Sequence, residues 1–282
     1  MKLKLETRPS PIAGKWYPAD PARLAANIDS YLEACEPVTL GGEVVAVMAP
    51  HAGHIYSGQV AAYAFKALKG LPIQLAAVVA PMHHPYREAL LTTAHAAYYT
   101  PLGDVPVDQA KLKELDAALK EQLGYGLAPV ERDPEHSLEI EIPFLQRVLP
   151  DGFKLLPVMV RDQSPAALQN LGRSLARILR GQPATLVAST DLSHFYSQSI
   201  AALLDSEILH HVEAFDPEGV LRAEQEGRGF ACGKAALAAV MWAAKDLGAN
   251  RAVILRYATS GEVSGDYEQV VGYAAAAFIR QS

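Results

Sequence analysis

Val44-Val45-Ala46-Val47-Met48-Ala49-Pro50-His51-Ala52-Gly53-His54 runs from an unbroken apolar stretch directly into a histidine loop. The same layout occurs twice more. Residues 75–80 (LAAVVA) lead into Pro81-Met82-His83-His84, and residues 185–189 (TLVAS) lead into Thr190-Asp191-Leu192-Ser193-His194. Short apolar runs bounded by breakers suit strands buried on both faces of a parallel sheet. In open α/β sheets, ligands bind in the crevice outside the carboxyl ends of the strands. Three such strands in one sheet would bring their histidines to one rim, beside the Asp191 carboxylate. That is the raw material of a metal or acid–base site.

Around these runs the sequence alternates. Asp20-Pro21 reads as an N-cap and first helical residue, predicting a helix over 21–34 with Leu24, Ile28, Tyr31 and Leu32 on one face. Further helices are predicted over 58–68, 108–123, 137–149, 164–179, 200–214, 217–225 and 233–247, with Pro143 either kinking its helix or marking the true first turn. Further strands are predicted at 89–100, 153–160, 252–259 and 269–278, and a loop at 124–133. The alternation indicates an α/β layered fold in one domain.

The 282 residues carry a net charge of −6, with 20% charged and 50% hydrophobic residues, which argues against a nucleic-acid binder. No apolar run reaches the length of a membrane span, and residues 1–12 lack the apolar centre of a signal peptide. Two cysteines, Cys35 and Cys232, form no disulfide framework, so a cytoplasmic location is expected. No phosphate-binding glycine loop, paired-cysteine zinc motif or Gly-x-Ser-x-Gly elbow is present.

Each candidate residue has a functional and a bland reading. His51 is a metal ligand or acid–base group, or a loop histidine satisfied by carbonyls. His83 and His84 follow one strand end and point different ways, so one serves as ligand and the other contacts substrate or supports the site. Asp191 binds metal or orients His194, or caps the following segment. Glu135-His136-Ser137-Leu138-Glu139 is a polar knot or acidic capping of a helix start. Cys232 precedes Gly233 at a predicted helix start, where the thiolate is favoured, or is a small buried residue. His54, Tyr56, Trp16 and Tyr17 form a possible aromatic recognition surface.

Taken together, Pro50-His51-Ala52-Gly53, Pro81-Met82-His83-His84, Glu135-His136-Ser137-x-Glu139, Ser189-Thr190-Asp191-Leu192-Ser193-His194, Cys232-Gly233 and the early Ala13-Gly14-Lys15-Trp16-Tyr17 resemble the Memo family in order and content. The resemblance covers nearly the whole chain and implies a single domain over 1–282. It also implies kinship in fold with type III extradiol dioxygenases, an α/β/α sandwich around a mainly parallel or mixed sheet. By that likeness His51, His83 and Cys232 are metal ligands. His194, Asp191 and His136 serve catalysis, while His54, Tyr56, His84 and Glu139 contact substrate or support the ligands. Iron(II) is the implied ion, with copper or zinc admitted by a thiolate. The implied activity is an oxygen-using oxidoreductase acting on a small organic molecule. The rivals are a non-enzymatic binder of a peptide, metal or partner, and a zinc hydrolase. AMMECR-type and radical-SAM pathway proteins are the implied partners.

The chain departs from the family pattern in places. Ala80 and Met82 replace members of a Gly-Pro-Ser/Asn-His-His motif, and His54 stands where tyrosine is common. A cysteine ligand departs from the two-histidine, one-carboxylate triad of ordinary non-haem iron oxygenases.

Overall fold

The computed structural model describes residues 5–162 and 164–281. The first half contains β1 (Leu5–Arg8), α1 (Pro21–Ala34), β2 (Glu43–Ala49), α2 (His54–Lys66), β3 (Leu75–Pro81), β4 (Leu90–Thr93), β5 (His95–Thr100), β6 (Gly103–Pro106) and α3 (Gln109–Leu123). Then come β7 (Ala128–Val130), a 3-10 turn (Glu139–Glu141), α4 (Ile142–Val148), β8 (Lys154–Val160), α5 (Pro165–Leu179) and β9 (Ala184–Ser189). The last third holds β10 (His194–Tyr196), α6 (Gln198–Glu213), α7 (Pro217–Gln225), α8 (Lys234–Asp246), β11 (Arg251–Thr259), α9 (Gly261–Ser264) and β12 (Val270–Arg280).

The main sheet has the order β10-β12-β2-β9-β3-β8-β4-β7, with β11 also paired to β12. Its centre, β2-β9-β3-β8, is parallel, while β10, β11 and β12 join antiparallel on one side and β4 does so on the other. The sheet is therefore mixed around a parallel core. Both faces are covered. α2 packs on β2, β11 and β12 with α1 and α4 beside it; α8 packs on β2, β3, β8 and β9 with α5 and α7 beside it. This two-sided burial explains the unbroken apolar runs: every residue of β3 is buried.

Register puts the histidine loops at one level. Ala49 of β2 lies opposite Ser189 of β9, and Val79 of β3 opposite Ala188. Loops 50–54, 81–84 and 190–194 thus leave the same rim, as the three runs predict.

Several boundaries moved. α2 begins at His54, capped by Gly53, rather than at residue 58. Gly58 therefore lies inside the helix. A Cβ there would meet the Tyr31 ring at 2.7 Å, so glycine lets α1 close on α2. Pro143 is in the first turn of α4, and a 3-10 turn precedes it. The predicted loop 124–133 contains β7, which pairs with β4. β1, whose alternating charges give no core signal, pairs with β5 in a separate sheet of order β1-β5-β6. Among the described residues, no helix is long and apolar enough to cross a membrane.

Candidate metal centre

His51, His83 and His136 converge at the rim: one ligand atom from each lies within 4.8 Å of the others. Their ring centroids are 4.8–5.5 Å apart, with His83 and His136 nearly parallel at 13° and Trp16 against His136 at 4.2 Å. His51 is buried, His136 half-buried and His83 exposed, so the group opens toward solvent.

Hydrogen bonds hold these rings from behind. Glu135 Oε1 lies 2.9 Å from His83 Nδ1 and 3.2 Å from His136 Nδ1, and also accepts the His136 and Ser137 backbone N–H groups. Its Oε2 accepts the His83 N–H at 2.6 Å. Burial pushes this carboxyl up, but the His83 hydrogen bond, the charges of His83 and His136, and the Ser137 N–H hold it well below the usual carboxylate range. Ser137 Oγ donates to the Pro81 carbonyl and fastens the knot to the end of β3. At His51, Nδ1 lies 2.9 Å from Ser189 Oγ. Glu135 behind His83 Nδ1 makes the carboxylate–histidine arrangement typical of metal ligands, and at His51 a serine hydroxyl takes the carboxylate's place. Burial, with the neighbouring rings of His136 and His83, drives the His51 pKa down and favours the neutral ligand form.

Asp191 does not cap a helix. Its Oδ1 accepts the His51 N–H at 2.7 Å and its carboxyl group also receives the Ala52 N–H, fixing the histidine loop; its Oδ2 is 4.0 Å from His51 Nε2. Burial pushes its carboxyl up to about 7, against those two hydrogen bonds. The residues after it form no helix: His194 opens β10 opposite Val271.

Cys232 lies in the turn before α8, with Sγ 3.1 Å from His51 Nε2. Gly233 permits this approach, since a Cβ there would come within 2.3 Å of the Ser189 carbonyl oxygen. A thiol this close to His51 would be placed to act as a further donor to an ion held there. The predicted ease of ionisation is not seen. Burial and the Asp191 carboxylate push the thiol up, beyond what the Asp191 and Gly233 backbone contacts and Thr190 recover.

A cavity of about 610 Å³ opens over the histidines, lined among others by Trp16, Tyr56, Asp191, His194, Phe195 and Tyr273. His194 is half-buried, and burial lowers its pKa. Tyr56 and Trp16 line the cavity as anticipated, but His54, Tyr17, His84 and Glu139 do not. His54 points into the core: it is 3% exposed, packs on Tyr17 and Phe144, and contacts the Ile140 carbonyl. The His84 backbone carbonyl accepts from Arg161. Glu139 is fully buried and receives Arg8, Ser10 and Tyr17, so it ties the N-terminal segment to the site segment.

Sequence reasoning assigned no site role to Glu135, Ser189 or Tyr273. Glu135 was legible as the carboxylate adjoining His136. Ser189 was visible as the polar residue closing an apolar strand. Tyr273 carried no signal, because it reads as one more core position of β12.

The fold and this group define an α/β sandwich protein whose strand-end cleft holds three histidines able to bind a metal ion. The chain belongs to the Memo-like protein family, whose profile matches residues 8–277. It is similar to the MEMO1 family protein of Nitrosopumilus maritimus, 34% identical over 272 residues covering 95% of this chain and 98% of that one. It is also similar to MEMO1 family protein MTH_45 of Methanothermobacter thermautotrophicus, 36% identical over 274 residues covering 93% and 97%.

Proposed function

We propose that the chain is an iron(II)-dependent oxidoreductase that uses oxygen on a small organic molecule bound in the 610 Å³ cavity. The observation that carries this reading is the histidine group, with Nδ1 of His51 and His83 engaged from behind and the cavity open in front. His51, His83 and His136 would hold the ion, with Cys232 as a further donor beside His51. Bound iron supplies redox and Lewis-acid chemistry at the cavity floor.

The chain's own residues do the rest. His194, kept neutral by burial, accepts the proton of a substrate hydroxyl. Asp191 holds the His51 loop and places a carboxyl beside the reacting groups. Trp16, Tyr56, Phe195 and Tyr273 supply apolar walls that bind a flat organic molecule and displace water.

A non-enzymatic reading has one observation in its favour: Ile55 and Phe195 at the cavity mouth are 67% and 71% exposed, as at a partner surface. Anaerobic iron loading followed by oxygen-uptake assays on a panel of phenols and catechols separates the two. The enzyme reading expects near-stoichiometric iron and uptake that His194→Ala abolishes while iron is retained. Stoichiometric iron without uptake on any probe favours partner binding. No iron or copper uptake refutes the metal reading.

A further inference from the structure

We propose that Ser189 and Glu141 are positioning residues that hold the proton of His51 on Nδ1 and turn its Nε2 lone pair toward the metal-binding group. The inference deepens the metal reading above and rests on it for its purpose, though not for its first test.

The argument is a count of protons. Ser189 Oγ lies 2.9 Å from His51 Nδ1, 2.7 Å from the Ser137 carbonyl oxygen and 2.7 Å from Glu141 Oε1. A hydroxyl has one proton to give and two lone pairs to receive with. The Ser137 carbonyl only accepts. If Glu141 is ionised it also only accepts, so the serine proton goes to one of these two oxygens and the other is left against a serine lone pair, which makes the neutral acid the arrangement that closes the network. If Glu141 is neutral, it donates to Ser189, and the serine proton goes to Ser137. In both cases no serine proton remains for His51, so the imidazole must donate from Nδ1. An acceptor Nδ1 would set two lone pairs against each other inside a dry interior, where an unmade hydrogen bond costs most.

Position supports the assignment. Ser189 and Glu141 are wholly buried, and Glu141 Oε2 has no hydrogen-bond partner among the described residues. Burial pushes the Glu141 carboxyl well up, with Ser189 opposing and Asp191 adding to the rise, which fits a neutral acid donating to Ser189. Neither residue lines the cavity. Their effect on the metal therefore passes through His51. On the other side of the ring, Cys232 Sγ at 3.1 Å from Nε2 can donate its proton to that nitrogen while no metal is bound.

The test begins with metal-free, 15N-labelled protein. Long-range proton–nitrogen correlation reads the tautomer of each histidine, and the His51 signals are those absent from His51→Gln. Wild type is expected to carry the His51 proton on Nδ1. Ser189→Ala is expected to move it to Nε2 and to weaken zinc(II) or cobalt(II) binding about 10- to 100-fold. Glu141→Gln, which keeps a polar partner for Ser189, is expected to retain the Nδ1 proton and near-wild-type affinity, whereas Glu141→Leu loses part of both.

A wild-type ring protonated on Nε2 overturns the proposal, and needs neither the Ser189 nor the Glu141 variants to fold. So does Ser189→Ala with unchanged tautomer and affinity. Glu141→Leu indistinguishable from wild type removes Glu141 from it. Wild-type protein that takes up no metal refutes the functional reading instead, while the tautomer is still decided.

Discussion

Two cavities lie at the two ends of the parallel strands, and they differ in how their polar groups are held. At the carboxyl ends, the 610 Å³ cavity has three histidines, with buried Glu135, Ser189 and Asp191 fixing them from behind. At the opposite ends, a cavity of about 420 Å³ is lined by Pro72, Asp108, Lys111, Asp151 and Lys154 among others. There Lys154 meets Asp108 at 3.3 Å, with the lysine side chain half in water. Similar hollows thus have different chemistry. A site is made where side chains are desolvated and already bonded in one geometry, and here only the histidine end meets that condition.

Four substitutions probe the contrast. Arg8 props the histidine end at a distance: it is buried, stacks on Tyr98, and bonds Asp133, Glu139 and the Glu135 carbonyl. Arg8→Met strands buried carboxylates, and urea unfolding is expected to show a loss of about 3–5 kcal/mol. Glu135→Gln keeps the size of the residue but weakens the acceptor behind His83. Calorimetric titration should show metal affinity falling about 10- to 100-fold.

The third substitution concerns acid stability. Burial lowers the His54 pKa from 6.5 to about 4, with the Ile140 carbonyl opposing. Between those values the unfolded chain binds a proton that the folded chain does not, so stability falls as pH drops through this window, by roughly 3 kcal/mol at most. His54→Gln, whose amide still reaches Ile140, should flatten that limb of a stability–pH profile relative to wild type. At the other cavity, Lys154→Ala should change stability by less than about 1 kcal/mol and leave metal binding untouched. A large effect there would erase the distinction between the two ends.

The sequence made the histidine end legible because each part of it was local. An apolar run, a breaker and a histidine sit side by side, and burial on both faces keeps the run unbroken. What was hidden depends on contacts across long stretches of chain. Glu139 looks like helix capping until β1 brings Arg8 to it, 131 positions away in sequence. His54 looks like a cleft residue until α2 starts four residues earlier than predicted and turns its ring onto Phe144. Cys232 sits before a helix, as read, but desolvation outweighs the helix end in setting its thiol. His136 sits in what reads locally as a capping knot and was given to catalysis only by the family resemblance; the fold stacks it on His83 within the metal-binding group.

An anaerobic iron(II) titration of the metal-free chain, run on wild type and on His51→Ala, His83→Ala and His136→Ala, decides whether these three rings act as one centre. One ion per wild-type chain, with binding lost or greatly weakened in each variant, is the expected result. Unchanged stoichiometric binding in all three variants would contradict it.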